Sequence, residues 1–155
     1  MRDAMIRRTH ADDLPAWRQV ARQVEPLFGP MADDPGFLQA IAACVDAGNA
    51  WTALDAQGRP VGFVAVDPRA NDITWLAVVS THRGCGLGAE LVRAALDALD
   101  GSRPVTVETF APGVPHGAGA RALYLGFGFT DTDAVSRNPA GIATVIMRRS
   151  VAGEG

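Results

Sequence analysis

Apolar positions along this chain follow two periods, and the changes from one to the other mark out its elements. Residues 6–8 make a short strand candidate. Thr9-His10-Ala11-Asp12 then has the hydroxyl-to-carboxylate spacing of a capping box, which predicts that a helix follows. Leu14, Trp17, Val20, Ala21 and Val24 recur at intervals of three and four, a stripe along one helix face that closes near Phe28-Gly29-Pro30. A second helix over residues 37–47 stops at Gly48-Asn49.

From there the period is two. Residues 50–55 and 60–67 read as strands joined by the turn Ala56-Gln57-Gly58-Arg59, and Pro68-Arg69-Ala70-Asn71 leads into a third strand over 72–79. Leu87, Leu91, Val92, Ala95 and Leu99 restore the helical period, with Asp97 and Asp100 on the other face and Gly101 at the end. Residues 104–110 alternate Val105 and Val107 with Thr106 and Glu108, as in a strand. A loop rich in Pro and Gly over 111–119 precedes a short helix at 120–127, and two last strands, 130–136 and 142–149, flank Asn138-Pro139-Ala140-Gly141. The order β-α-α-β-β-β-α-β-α-β-β implies an α+β domain, or α/β in three layers, with one mixed sheet covered by helices.

Composition fits one core. The chain has 155 residues, 48% hydrophobic and 20% charged, the balance of a single globular domain over residues 1–150 with a short tail at 151–155. With 14 Lys and Arg against 17 Asp and Glu, the net charge of −3 gives no general basic field for nucleic acid or anionic lipid. Cys44 and Cys85 lie far apart without a C-x-x-C or adjacent His, so neither a disulfide framework nor a metal site is expected. There is no apolar run near the N-terminus and no stretch near ~18 apolar residues, so the expectation is a soluble, cytoplasmic protein with no membrane partner.

The segment Val78-Val79-Ser80-Thr81-His82-Arg83-Gly84-Cys85-Gly86-Leu87-Gly88 ends a strand and opens a helix. Glycine at alternate positions lets the backbone approach a ligand, and the first helical N–H groups with their dipole favour an anion, with Arg83 beside them. A P-loop would need Gly-Lys-Ser/Thr, which is absent. A dinucleotide fingerprint would need G-x-G-x-x-G after the first strand, whereas Gly84, Gly86 and Gly88 follow three strands. A dinucleotide-binding enzyme is therefore a remote alternative.

Arg83-Gly84-Cys85-Gly86-Leu87-Gly88 resembles the Gln/Arg-x-x-Gly-x-Gly/Ala signature of the GNAT N-acetyltransferase superfamily, and Leu76-Ala77-Val78 resembles the strand before it. Downstream, Ala120-Arg121-Ala122-Leu123-Tyr124-Leu125-Gly126-Phe127-Gly128-Phe129 is similar to that family's A-x-x-L-Y-x-x-x-G-F segment. The resemblance implies a GNAT-like, mostly antiparallel mixed sheet, and acetyl-CoA as co-substrate without a metal. It implies that Arg83, Gly84, Cys85, Gly86, Leu87, Gly88 and Ala89 offer main-chain N–H groups to the pyrophosphate. Leu76, Ala77 and Val78 would form the strand beside the pantetheine arm, Leu76 and Val78 pairing with its amides, and the N–H of Val78 would polarise the thioester carbonyl.

Tyr124 falls where the family places the tyrosine that protonates the departing thiolate. A phenol of pKa about 10 can donate to a thiolate whose parent thiol titrates near about 8.5. The amine acceptor needs a base, and Asp72 is the first candidate, with Glu108 and Glu25 as alternatives; His82 reads as a phosphate neighbour or plain surface. Cys85 lies on the phosphate loop, away from the thioester, and Cys44 reads as core. Where the family often carries an asparagine for the CoA arm, seven residues before the tyrosine, this chain has Gly117 in a loop expected to order only on binding. Trp17, Phe28, Phe37 and Trp51 are candidates to line the acceptor site, although most would serve the core. The acceptor is a small-molecule or peptide amine, and a homodimer is an expectation of the resemblance. A non-catalytic acyl-CoA-binding module or sensor is the alternative reading.

Overall fold

The structure is a computed structural model, and it describes residues 5–151. The elements are β1 (Met5–Arg8), α1 (Leu14–Phe28), α2 (Pro35–Asp46), β2 (Ala50–Leu54), β3 (Pro60–Asp67), β4 (Asp72–Val78), α3 (Leu87–Ala98), β5 (Val105–Phe110), α4 (Ala118–Gly126), β6 (Phe129–Arg137) and β7 (Ala143–Arg149). The strands form one sheet in the order β1-β2-β3-β4-β5-β7-β6, antiparallel at every pairing except β4 with β5. That α+β architecture is the one the order of elements implied. A doubly wound parallel sheet, which a dinucleotide-binding reading needs, is not present among the described residues. No helix among them is long and apolar enough to cross a membrane.

Two cores cover the two sheet faces, as alternation along the strands requires. Helix α3 buries Leu87, Leu91, Val92 and Ala95 against Val64, Val66, Ile73, Val105 and Val107, and Tyr124 and Phe129 extend that core. On the other face Trp17, Val20, Val24 and Ile41 pack on Phe63, Ala65 and Ala77. The helix starts follow local chemistry. Asp34 accepts the N–H of Phe37 at 3.2 Å ahead of Pro35, and Gly29 at φ 106° ends α1.

The capping expected at Thr9 is shifted by one residue. Asp13 takes the N–H of His10 at 2.8 Å, while the Thr9 hydroxyl is turned to the Thr52 hydroxyl at 2.8 Å. The reason is Arg7, which grips the same Asp13 carboxylate at 2.6 and 3.0 Å and fixes the entry to α1 against β1. Burial alone would raise the pKa of Asp13, but the bonds from Arg7 and His10 and the Arg7 charge outweigh it and hold it below the usual carboxylate value. A lowered folded pKa means stability that is present above the unfolded value, about 3.9, and lost as pH falls through the folded one. Asp13→Asn is expected to lower stability at neutral pH by roughly 2–4 kcal/mol. Thermal melts at pH 7 and below pH 4 check this, because the gap between the two proteins should narrow in acid.

Candidate active site

The site begins where β4 and β5 part. The two strands pair only at Asp72 with Thr106 and Ile73 with Val107, so the rest of β4 has β3 on one side and an open gap on the other. The N–H of Val79 bonds to the carbonyl of Val61 at 2.8 Å. Because successive residues of a strand turn their amides to opposite sides, Leu76 and Val78 present theirs to the gap. Arg83 agrees with that assignment, its Nε reaching the carbonyl of Val78 at 3.1 Å.

The vertex of the gap is pinned from below by Asn71, which is 1% exposed and holds the left-handed φ of 56° that asparagine tolerates. Its Nδ2 donates to the carbonyls of Asp100, Arg103 and Pro104 at 2.9, 3.3 and 3.0 Å, and its Oδ1 accepts the N–H of Asp100 at 2.8 Å. The carbonyl of Asn71 takes the N–H of Thr106 at 3.2 Å. The turn before β4 is thereby tied to the loop before β5.

Above the gap, the chain passes through a 3-10 turn at Ser80–His82 into the glycine segment. Gly84 and Gly86 have φ of 79° and 87°, and a Cβ on either would meet nothing within 4 Å, so both leave open space in front of the backbone. Gly86 is the N-cap of α3, and the N–H of Glu90 closes the first turn on its carbonyl at 3.1 Å. The N–H groups of Leu87, Gly88 and Ala89 therefore have no partner within the helix. Gly88 also serves packing between helices. A Cβ there would stand 3.1 Å from Cδ2 of Leu123, so its small size lets α3 lie against α4.

Ionisable groups gather around the gap from both faces. Val105 and Val107 point into the α3 core, so Thr106, Glu108 and Phe110 lie on the opposite face, beneath α1. Asp72 accepts the Thr106 hydroxyl at 2.6 Å, and Glu108 accepts the Thr144 hydroxyl at 2.7 Å. Burial, which outweighs the Thr106 bond, and the charges of Asp67 and Glu108 push the pKa of Asp72 up. Tyr124 comes from α4 on the other face, 4% exposed, with its ring edge-on to Phe129 at 5.6 Å. Its hydroxyl makes no hydrogen bond to the described residues. Burial and the Asp72 charge push its pKa well above the usual phenol value, so it stays protonated across the neutral range.

Other candidates find different places. Glu25 is bound by the N–H groups of Met31 and Ala32, both at 2.8 Å, and closes the turn after α1. His82 sits between Thr81 at 2.9 Å and Asp55 at 3.8 Å. The Cys85 thiol is exposed and donates to the carbonyl of His82 at 2.7 Å. Cys44 is half-buried against α1, and burial raises its pKa. Trp17 is fully buried, stacked on Phe63 at 4.8 Å, and Phe37 packs on Trp75 at 6.2 Å. Trp51 belongs to the α3 face, where Arg8 lies over its ring at 5.9 Å, on the side of the sheet away from Asp72 and Glu108. The loop before α4 is not open either: Pro115–Gly117 forms a 3-10 turn running into the helix, with Gly117 buried. The sequence reading missed Asn71 and Phe110. A turn asparagine before a strand was the available signal for the first, and nothing local marked the second.

The site therefore combines a parted parallel pair, a glycine-opened helix above it, and carboxylates on one face of the gap with a phenol on the other. The family model for the acetyltransferase (GNAT) domain matches residues 46–131, and the chain belongs to that family. Among solved structures, Arabidopsis thaliana NAA60 in complex with a bisubstrate analogue is similar at a TM-score of 0.71 and 18% identity, covering 97% of this chain and 99% of that one. The ribosomal-protein-S18-alanine N-acetyltransferase from Escherichia coli gives 0.68 and 20%, over 98% and 96%. The structure of yncA from Salmonella typhimurium with its cofactor acetyl-CoA gives 0.72 and 14%, over 98% and 96%. At these identities the likeness is one of fold.

Proposed function

We propose that this protein transfers the acetyl group of acetyl-CoA to a primary amine by direct attack in a ternary complex. The observation that carries the reading is the opposition of Asp72 and Glu108 on one face of the gap to Tyr124 on the other. Solved structures of the same fold holding acetyl-CoA or a bisubstrate analogue support the choice of donor. The open backbone at Gly84 and Gly86, the N–H groups of Leu87, Gly88 and Ala89 and the Arg83 guanidinium would bind the pyrophosphate. Cys85 would contribute its main chain alone. Leu76 and Val78 would pair with the pantetheine amides, and the Val78 N–H would stabilise the negative charge that develops on the thioester oxygen.

Asp72 would take the proton of the incoming ammonium, and its raised pKa brings a carboxylate nearer the basicity that this step needs. The amine nitrogen bonds to the carbonyl carbon, the carbon–sulfur bond breaks as the Tyr124 hydroxyl gives its proton to the sulfur, and the acylated nitrogen would release its excess proton to solvent, from which the Tyr124 phenolate regains one. Glu108, joined to Asp72 through charge, is the second candidate base. Comparing Asp72→Asn with Glu108→Gln separates the two, since only loss of the true base should flatten the rise of kcat/KM with pH.

The decisive experiment titrates acetyl-CoA into the protein and then follows thiol release with a panel of amines. Binding with amine-dependent release is the expected result. Binding with release at background for every amine would instead make the chain an acyl-CoA-binding sensor.

A further inference from the structure

Phe110 is 6% exposed and belongs to neither of the two cores. It stands at the end of β5, and its ring meets that of Phe28 at 5.6 Å and 46°. Gly117 makes room for it, since a Cβ at that position would overlap the Phe110 Cβ and come 3.0 Å from its Cγ. The glycine that replaces the family's asparagine is thus the complement of an aromatic residue on β5. Phe28 is held in place from outside: Nδ2 of Asn138 donates to the carbonyl of Leu27 at 2.7 Å, and Gly29 lies against Pro139. The turn between β6 and β7 therefore closes on the end of α1 and backs the aromatic pair.

Residues two apart on a strand are roughly 7 Å apart on the same face. The Phe110 position therefore lies about that far from Glu108, whose carboxylate is fixed by Thr144. A carboxylate beside an aromatic pair, of which Phe28 is the half-buried and Phe110 the buried member, matches a particular amine. We infer that the acceptor is a primary amine carrying an apolar group, best an aromatic ring, two or three bonds from the nitrogen. Its ammonium is held by Glu108 and Asp72 and its ring lies against Phe28, which Phe110 backs. This inference rests on the acetyltransferase reading for its biological sense, but amine binding can be measured without catalysis.

The test uses calorimetry on the full chain saturated with CoA, with 2-phenylethylamine and ethanolamine as probes, alongside kcat/KM for both with acetyl-CoA. Phe-Gly-Gly and Ser-Gly-Gly form a second arm, which tells a free amine from a peptide N-terminus. The apolar member of a pair should bind at least about tenfold more tightly. Phe28→Ala and the gentler Phe110→Leu should bring that ratio towards one, with CoA affinity unchanged as the control for folding. Equal binding of the two members in both arms, or a preference that survives both substitutions, overturns the inference. Preferential binding without acetyl transfer leaves the inference standing and sinks the catalytic reading. Transfer without preference does the reverse.

Discussion

Replacing Tyr124 by Phe is expected to lower kcat by about 10²–10⁴-fold, the usual worth of a positioned general acid, while acetyl-CoA affinity stays the same. The substitution removes one oxygen and keeps the ring that packs edge-on to Phe129. Because the hydroxyl makes no hydrogen bond to the described residues, its removal leaves no partner unsatisfied. The melting temperature of the variant should therefore match or slightly exceed that of the parent. A structural tyrosine would give the opposite pattern, with lost stability and kept turnover. Pre-steady-state thiol release, equilibrium titration with acetyl-CoA and a thermal melt together read all three quantities. Turnover within threefold of the parent would remove Tyr124 from the reaction.

Asn71→Ala should cost about 3 kcal/mol, or roughly 10 °C in Tm. The alanine leaves part-buried carbonyls of the 100–104 loop and the Asp100 N–H without their partner, at about 1–3 kcal/mol in all. Alanine also lacks the short polar side chain by which asparagine tolerates φ 56°, which costs a further ~1 kcal/mol. Asn71→Gly relieves only the second term and should recover about 1 kcal/mol, so the pair of variants separates hydrogen bonding from backbone strain. Activity should fall as well, because Asn71 joins β4 to β5 at the point where the cleft opens. A Tm shift under about 2 °C for the alanine variant would show that the loop is held by other means.

Most of the groups that line the cleft were legible in the sequence because they sit on short segments. The glycine spacing 84, 86, 88, the alternation of β5 and the Tyr124 motif are local patterns, each fixed by backbone conformation or by period. Gly88 carries a second role that no local pattern marks: besides the ligand approach that its place in the motif suggests, its small size lets Leu123 of another helix lie against it. Glu25, Trp51 and Gly117 likewise take their surroundings from a residue or backbone group brought to them by the fold. Thr9 was displaced as a cap because Arg7 and Thr52 compete for the groups around it.

By itself the sequence determined the element order, the two-faced strands and the glycine-rich turn that opens α3, since periodicity, helix capping and glycine conformation act over a few residues. Only the tertiary structure decided where β5 leaves β4, that Asp72 and Glu108 share a face opposite Tyr124, and that Phe110 fills the space left by Gly117. Those relations join residues up to tens of positions apart. They depend on which side of the sheet each strand turns to its neighbours, a matter settled by packing of the whole core rather than by any one segment.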